Sequence, residues 1–189
     1  MHINLLNRSL IKWVVYTGLG WGLSQAAGIF ITSLAFPKAE LAALPTSPLY
    51  FAVFGFFFGL SQWICIRDHI SNSFRWVIAT AAGCFAAALI LKVLNRSEMI
   101  NSFLSGLPFL AYFWGGLIIG FAQHQALKKT LPKAHWWIIV VAVGWAIAQV
   151  FIGVDNAVVG FLGVLLFTTV TGLTFVWFVQ KPSPEMQAA

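Results

Sequence analysis

Gln25, Gln62, Gln123, His124 and Gln149 stand inside long apolar runs of this chain, and they are its first candidates for chemistry. An amide or imidazole in hydrocarbon is costly unless it is hydrogen-bonded, so each such group serves either a structural bond or a ligand. Gln62 and Gln123 each precede a basic residue by five positions, Arg67 and Lys128, which puts them roughly 7–8 Å inside a membrane boundary if the runs are helices. Gln25 and Gln149 lie about 20 Å along their helices, just past the bilayer midplane. Two readings follow. The amides either bond neighbouring helices, at about 0.6 kcal/mol each, or line a polar path for a small solute.

His124, flanked by Gln123 and Gln125, has no second histidine three or four residues away on its run. Metal and haem sites need several convergent ligands, so we expect neither a metal nor another cofactor. Cys65 and Cys84 fall at different depths, near a boundary and about 12 Å inside, too far apart for a disulfide. The five acidic residues, Glu40, Asp68, Glu98, Asp155 and Glu185, fall at run ends, in connections or in the tail. Proton-coupled carriers and intramembrane aspartyl proteases depend on buried carboxylates, which this distribution does not supply. No Ser, His and Asp constellation or phosphate-binding glycine loop occurs, and connections of about ten residues leave no room for a soluble catalytic domain.

The elements that must position these residues follow from composition. Of 189 residues 60% are hydrophobic and 8% charged, and the mean hydropathy is +0.86. A soluble domain could not cover its exterior with so few polar groups, so lipid is the solvent for much of the chain. The net charge of +6 forms no basic stripe, because its lysines and arginines are scattered singly between apolar runs, which argues against nucleic acid as a partner. The run from Trp13 to Phe36 is too long for a signal peptide and reads as a mature span.

The expected fold is all-α: an integral membrane bundle of six transmembrane helices near 13–35, 49–66, 74–94, 107–127, 136–152 and 158–179, in one domain, with a tight turn at Asp155-Asn156. With the amino terminus in the cytoplasm, Arg8, Lys12, Arg67, Arg75, Lys128, Lys129, Lys133 and Lys181 share one side, and Lys38, Lys92 and Arg96 the other. Basic loops stay cytoplasmic, which puts both termini there. Trp13, Trp76 and Trp137 each open an odd-numbered span beside a basic residue or histidine, the usual setting of interface anchors.

The spans also repeat. Trp13, Trp76 and Trp137 come into register, followed seven residues on by Gly20, Gly83 and Gly144, and then by Trp21, Cys84 and Trp145. Gln25 matches Gln149, with Ala88 between them as the exception. In the even spans Gly55, Gly59, Gln62 and Arg67 correspond to Gly116, Gly120, Gln123 and Lys128, while the sixth keeps only Thr168, Thr171 and Gly172. Three tandem hairpins, about 8–67, 74–128 and 135–180, are expected, related by an axis along the membrane normal. The glycine pairs four residues apart would let helix backbones approach closely.

The run Gly55, Gly59, Gln62, Trp63 and Arg67, leading to Trp76, Val77, Ala79, Thr80 and Gly83, resembles a motif repeated in small, largely uncharacterised multi-pass proteins, mostly cyanobacterial. The fourth span departs from it at His124, where Trp63 stands earlier. The resemblance implies a bacterial inner or thylakoid membrane and no particular activity. Eighteen Phe, nine Trp, abundant small residues, short connections and no charge expected at mid-membrane make a non-enzymatic accessory, scaffold or assembly component of a larger membrane complex the leading expectation, with lipid and that complex as partners. A channel or carrier for a small neutral or anionic solute through a pseudo-threefold bundle is the alternative.

Overall fold

Long apolar segments free of internal breakers become helices here, and their ends sit where the sequence supplies caps. The structure, a computed structural model, describes residues 2–70, 72–94, 96–98, 102, 107–131, 134–154 and 156–180, so Lys133, Asp155, Lys181 and Glu185 lie outside the described residues. Among the described residues there are six α-helices: α1 (His2–Ala35), α2 (Pro48–Ile66), α3 (Phe74–Leu94), α4 (Pro108–Leu127), α5 (His135–Ile152) and α6 (Ala157–Gln180). A 3-10 helix, Leu41–Thr46, links α1 to α2 and buries Leu44.

Ser47 caps α2 by accepting the Tyr50 N–H at 3.1 Å, and Pro48 occupies the first turn, where its missing N–H is harmless. Asn156 caps α6: its Oδ1 accepts from the N–H groups of Val158 and Val159 at 2.9 and 3.2 Å. Asn72, in the connection before α3, takes the left-handed conformation at φ 54°, which asparagine tolerates better than most residues. The first helix starts well before the expected span, since nothing between His2 and Lys12 breaks it.

Five of the helices are long and apolar enough to cross a membrane: α1 over Arg8–Ala35, α2, α3, α5, and α6 over Ala157–Val179. Their outer faces carry exposed Leu19, Leu23, Phe30, Phe85, Ile139 and Phe161, surface that suits lipid and not water. The chain is thus a helical integral membrane protein. The fourth helix stands outside that set because Gln123, His124 and Gln125 dilute its apolar character.

Each helix packs against its chain neighbours, and α6 returns to pack on α1, closing the bundle into a ring. Neighbours run antiparallel, as the glycine contacts establish. A Cβ placed on Gly55 would lie 2.9 Å from the Ala81 Cα, and one on Gly59 would lie 3.1 Å from the Val77 Cα. Gly116 and Gly120 stand equally close to the Ala142 and Ile138 Cα atoms, at 2.7 and 2.9 Å. Gly20 faces Ser61, Gly83 faces Ile119 and Ala122, Gly144 faces Phe167, and Gly172 faces Trp13. Every helix pair around the ring therefore has a glycine at its crossing, where only a missing side chain permits such approach.

The axis of the ring is filled. Trp21, Phe54, Phe58, Trp145 and Phe167 interlock with ring centroids 5.2–6.1 Å apart, mostly edge to face. Aromatic rings prefer such geometries, and each contact is worth about 0.5–1.5 kcal/mol beyond the area it buries.

Candidate functional site

Two polar features interrupt this apolar bundle, at opposite ends. The first is at the end bearing the chain termini, where Trp13, Trp76 and Trp137 open α1, α3 and α5. Their placement corrects the expectation of interface anchors. All three are at most 1% exposed, turned into the bundle and not toward lipid headgroups. Trp137 meets Trp13 and Trp76 with centroids 6.0 and 5.4 Å away, and Phe175 stacks on Trp13 at 4.9 Å.

A buried indole must spend its N–H, and each of these does so on a side chain of an even helix. Trp76 Nε1 donates to Gln62 Oε1 at 3.0 Å, and Trp137 Nε1 donates to Gln123 Oε1 at 2.8 Å. Trp13 Nε1 donates to Thr171 Oγ1 at 3.2 Å, across the seam between α6 and α1. Gln123 continues the chain, its Nε2 donating to Thr80 Oγ1 at 3.0 Å, and Thr80 donates in turn to the Trp76 carbonyl at 2.8 Å. Gln62 and Gln123 are each 1% exposed and are bonded between helices.

Where threonine replaces glutamine, the partner position changes too. Thr171 has a single proton, which it gives to the Phe167 carbonyl at 2.8 Å, so it needs no second hydroxyl to receive an N–H. The position four residues after Trp137 is accordingly Val141, where Thr80 follows Trp76 and Thr17 follows Trp13. Thr17 Oγ1, Thr32 Oγ1 and His124 Nδ1 are buried without a hydrogen-bond partner among the described residues.

The second feature is a cavity of about 420 Å³ at the opposite end, between α2, α3, α4 and α5. Apolar wall comes from Phe51, Ala87, Ala88, Leu91 and Ile119, and polar atoms from Thr46, Tyr112, Gln149 and the Trp145 indole. Lys92, in the last turn of α3, and Arg96, two residues beyond its end, supply its two cations. Among the described residues the one ion pair is Arg67 with Asp68, at 3.8 Å on the far end, so no described carboxylate pairs with either cavity cation.

Of the expected polar-path residues, then, Gln62 and Gln123 belong to the indole network and Gln149 to the cavity. Gln25 is half-buried on α1 and lines neither. His124, in the last turn of α4, is also half-buried and apart from the cavity. Cys65 and Cys84 carry free thiols, and Cys84 forms part of the cavity wall. Sequence reasoning passed over Lys92, Arg96 and Tyr112. The signal available was weak: two unpaired cations one helical turn apart, at the end of an otherwise apolar span. No family model, no curated protein and no solved structure matches the chain.

Proposed function

We propose that this chain is a non-enzymatic, non-conducting component of a membrane complex, an accessory subunit, scaffold or assembly factor that works through its outer surface. The observation that carries this reading is the aromatic plug. Trp21, Phe54, Phe58, Trp145 and Phe167 occupy the axis where a solute path through the ring would run.

In this reading all six helices span. The fourth, of 20 residues, reaches about 30 Å and packs between two apolar neighbours, with Gln123 buried against them. The chain consists of three divergent hairpins around a pseudo-threefold axis. The recurrence of Trp76–Gln62 contacts as Trp137–Gln123, and of Gly55 and Gly59 crossings as Gly116 and Gly120, supports that arrangement. Both termini face the cytoplasm of a bacterial cell, in the inner or thylakoid membrane, consistent with the resemblance to small cyanobacterial multi-pass proteins.

Capture from native membranes in mild detergent, followed by mass spectrometry, tests the reading: a stoichiometric membrane partner is expected, and isolation of the bare chain under all gentle conditions counts against it. The second reading, a carrier of a small anionic solute, draws on the Lys92 and Arg96 cavity. Proteoliposomes that accumulate such a solute would favour it over the first.

A further inference from the structure

We propose that the cavity binds a lipid-borne phosphate: an anionic phospholipid whose headgroup rests on Lys92 and Arg96 while part of one acyl chain enters the apolar space beside them. The origin of the cavity rests on the threefold reading, whereas the ligand chemistry rests on the lining alone.

The space exists because the third helix lacks two bulky side chains. Trp21 and Trp145 fill the axis at matching positions of α1 and α5, and the matching residue of α3 is Cys84. One turn later Gln25 and Gln149 correspond to Ala88. Both small residues line the cavity. The backbone would accept a larger group. In the helix pair α4 and α5, Gly116 stands across from Trp145 as Gly55 stands across from Cys84 in α2 and α3, with added-Cβ distances to the facing Cβ of 3.0 and 2.8 Å. An indole is thus accommodated in one crossing and absent from its counterpart, leaving a volume within the range of about 300–1,000 Å³ typical of ligand pockets.

The lining specifies what fills it. Lys92, in the last turn of α3, and Arg96, just beyond it, bring two like charges to one rim of the cavity, where a bound anion would offset their mutual repulsion. Arginine forks onto phosphate oxygens and lysine adds a point charge. The Tyr112 hydroxyl and the Gln149 amide N–H offer hydrogen bonds to phosphate or ester oxygens, while the Thr46 hydroxyl already donates its proton to the Ala43 carbonyl at 2.7 Å. A free inorganic anion would satisfy the cations and leave Ala87, Ala88, Leu91 and Ile119 facing an unfilled apolar space. A chain attached to the anion satisfies both.

The test is native mass spectrometry of the full chain in a neutral detergent, offered equal amounts of phosphatidylglycerol and phosphatidylcholine. Retention of phosphatidylglycerol is expected to exceed that of phosphatidylcholine on the order of tenfold, and the double variant Lys92→Gln/Arg96→Gln to abolish the preference. Lys38→Gln, which removes a cation outside the lining, should leave it intact. Cys84→Trp should reduce retention with both cations in place. Gly115→Leu is a second filling variant, because a Cβ there meets nothing closer than Leu91 Cδ1 at 3.8 Å. Equal retention of the two lipids by the unmodified chain overturns the proposal, as does a preference that survives loss of both cations or filling by either variant. Displacement of the lipid by millimolar inorganic phosphate would identify a free-anion site and overturn it too. Partner capture and solute flux, which test the proposed function, are independent of all these outcomes.

Discussion

Trp137 Nε1 donates to Gln123 Oε1 at 2.8 Å, and the same amide donates to Thr80 Oγ1 at 3.0 Å, so one side chain joins α3, α4 and α5. Its loss strands the Trp137 indole N–H and takes from the Thr80 hydroxyl, which still donates to the Trp76 carbonyl, the N–H it accepts. Membrane bundles gain little from apolar burial between helices, which gives such bonds unusual weight in choosing one packing over another.

Gln123→Leu is therefore expected to destabilise the protein by about 1–3 kcal/mol, and more than Gln62→Leu, whose amide joins two helices through the Trp76 bond. Unfolding in graded denaturing detergent checks the order. Equal stability of Gln123→Leu and the unmodified chain would remove the network from the forces that hold the ring.

Glycine substitutions should separate by position. Gly116→Ala and Gly120→Ala place a methyl group within 2.9 Å of facing backbone and should cost about 1–3 kcal/mol through overpacking. Gly18→Ala and Gly22→Ala meet nothing within 4 Å and should be neutral or gain up to about 1 kcal/mol of helix propensity. Thermal aggregation midpoints of the four variants, compared side by side, decide the matter.

Removing the plug should be expensive. Trp21 touches Phe54, Phe58, Trp145 and Phe167, and Trp21→Ala is expected to lose about 3–5 kcal/mol. The peripheral Trp114→Ala, on the exposed face of α4, should lose far less. Similar losses for both would mean that the axis is not the packed centre.

Single-cysteine labelling in intact cells, on a background lacking Cys65 and Cys84, checks the orientation. A probe at Lys38 is expected to react from outside and one at Lys129 only after the membrane is opened. Labelling of both from one side would break the alternation of the hairpins.

Apart from the start of α1, element boundaries are legible because the spans end at a charge, a proline or a cap such as Ser47 or Asn156, all local signals. Contact between the first and last spans is legible in Thr171 and Gly172, two of the residues that the sixth span retains from the repeat and that meet Trp13. The rotation of the helices was not readable. They are apolar nearly all round, so pattern alone cannot say which face turns inward, and a tryptophan beside a lysine looks the same whether it meets headgroups or, like Trp13, the centre of the bundle. The cavity escaped notice for a related reason: it depends on what Cys84 and Ala88 lack, and absent volume leaves no mark until neighbours are in place.

Trp13 and Thr171 are 158 residues apart in the chain, yet their bond closes the ring. At about 5–20 residues per second of translation, the first helix waits roughly ten to thirty seconds before the last emerges to receive its indole. Throughout that interval a nascent chain in the bilayer presents an open crescent with a stranded N–H on one horn. Ribosome stalling or truncation ahead of α6 would leave that edge exposed to whatever insertase or chaperone handles unfinished membrane proteins.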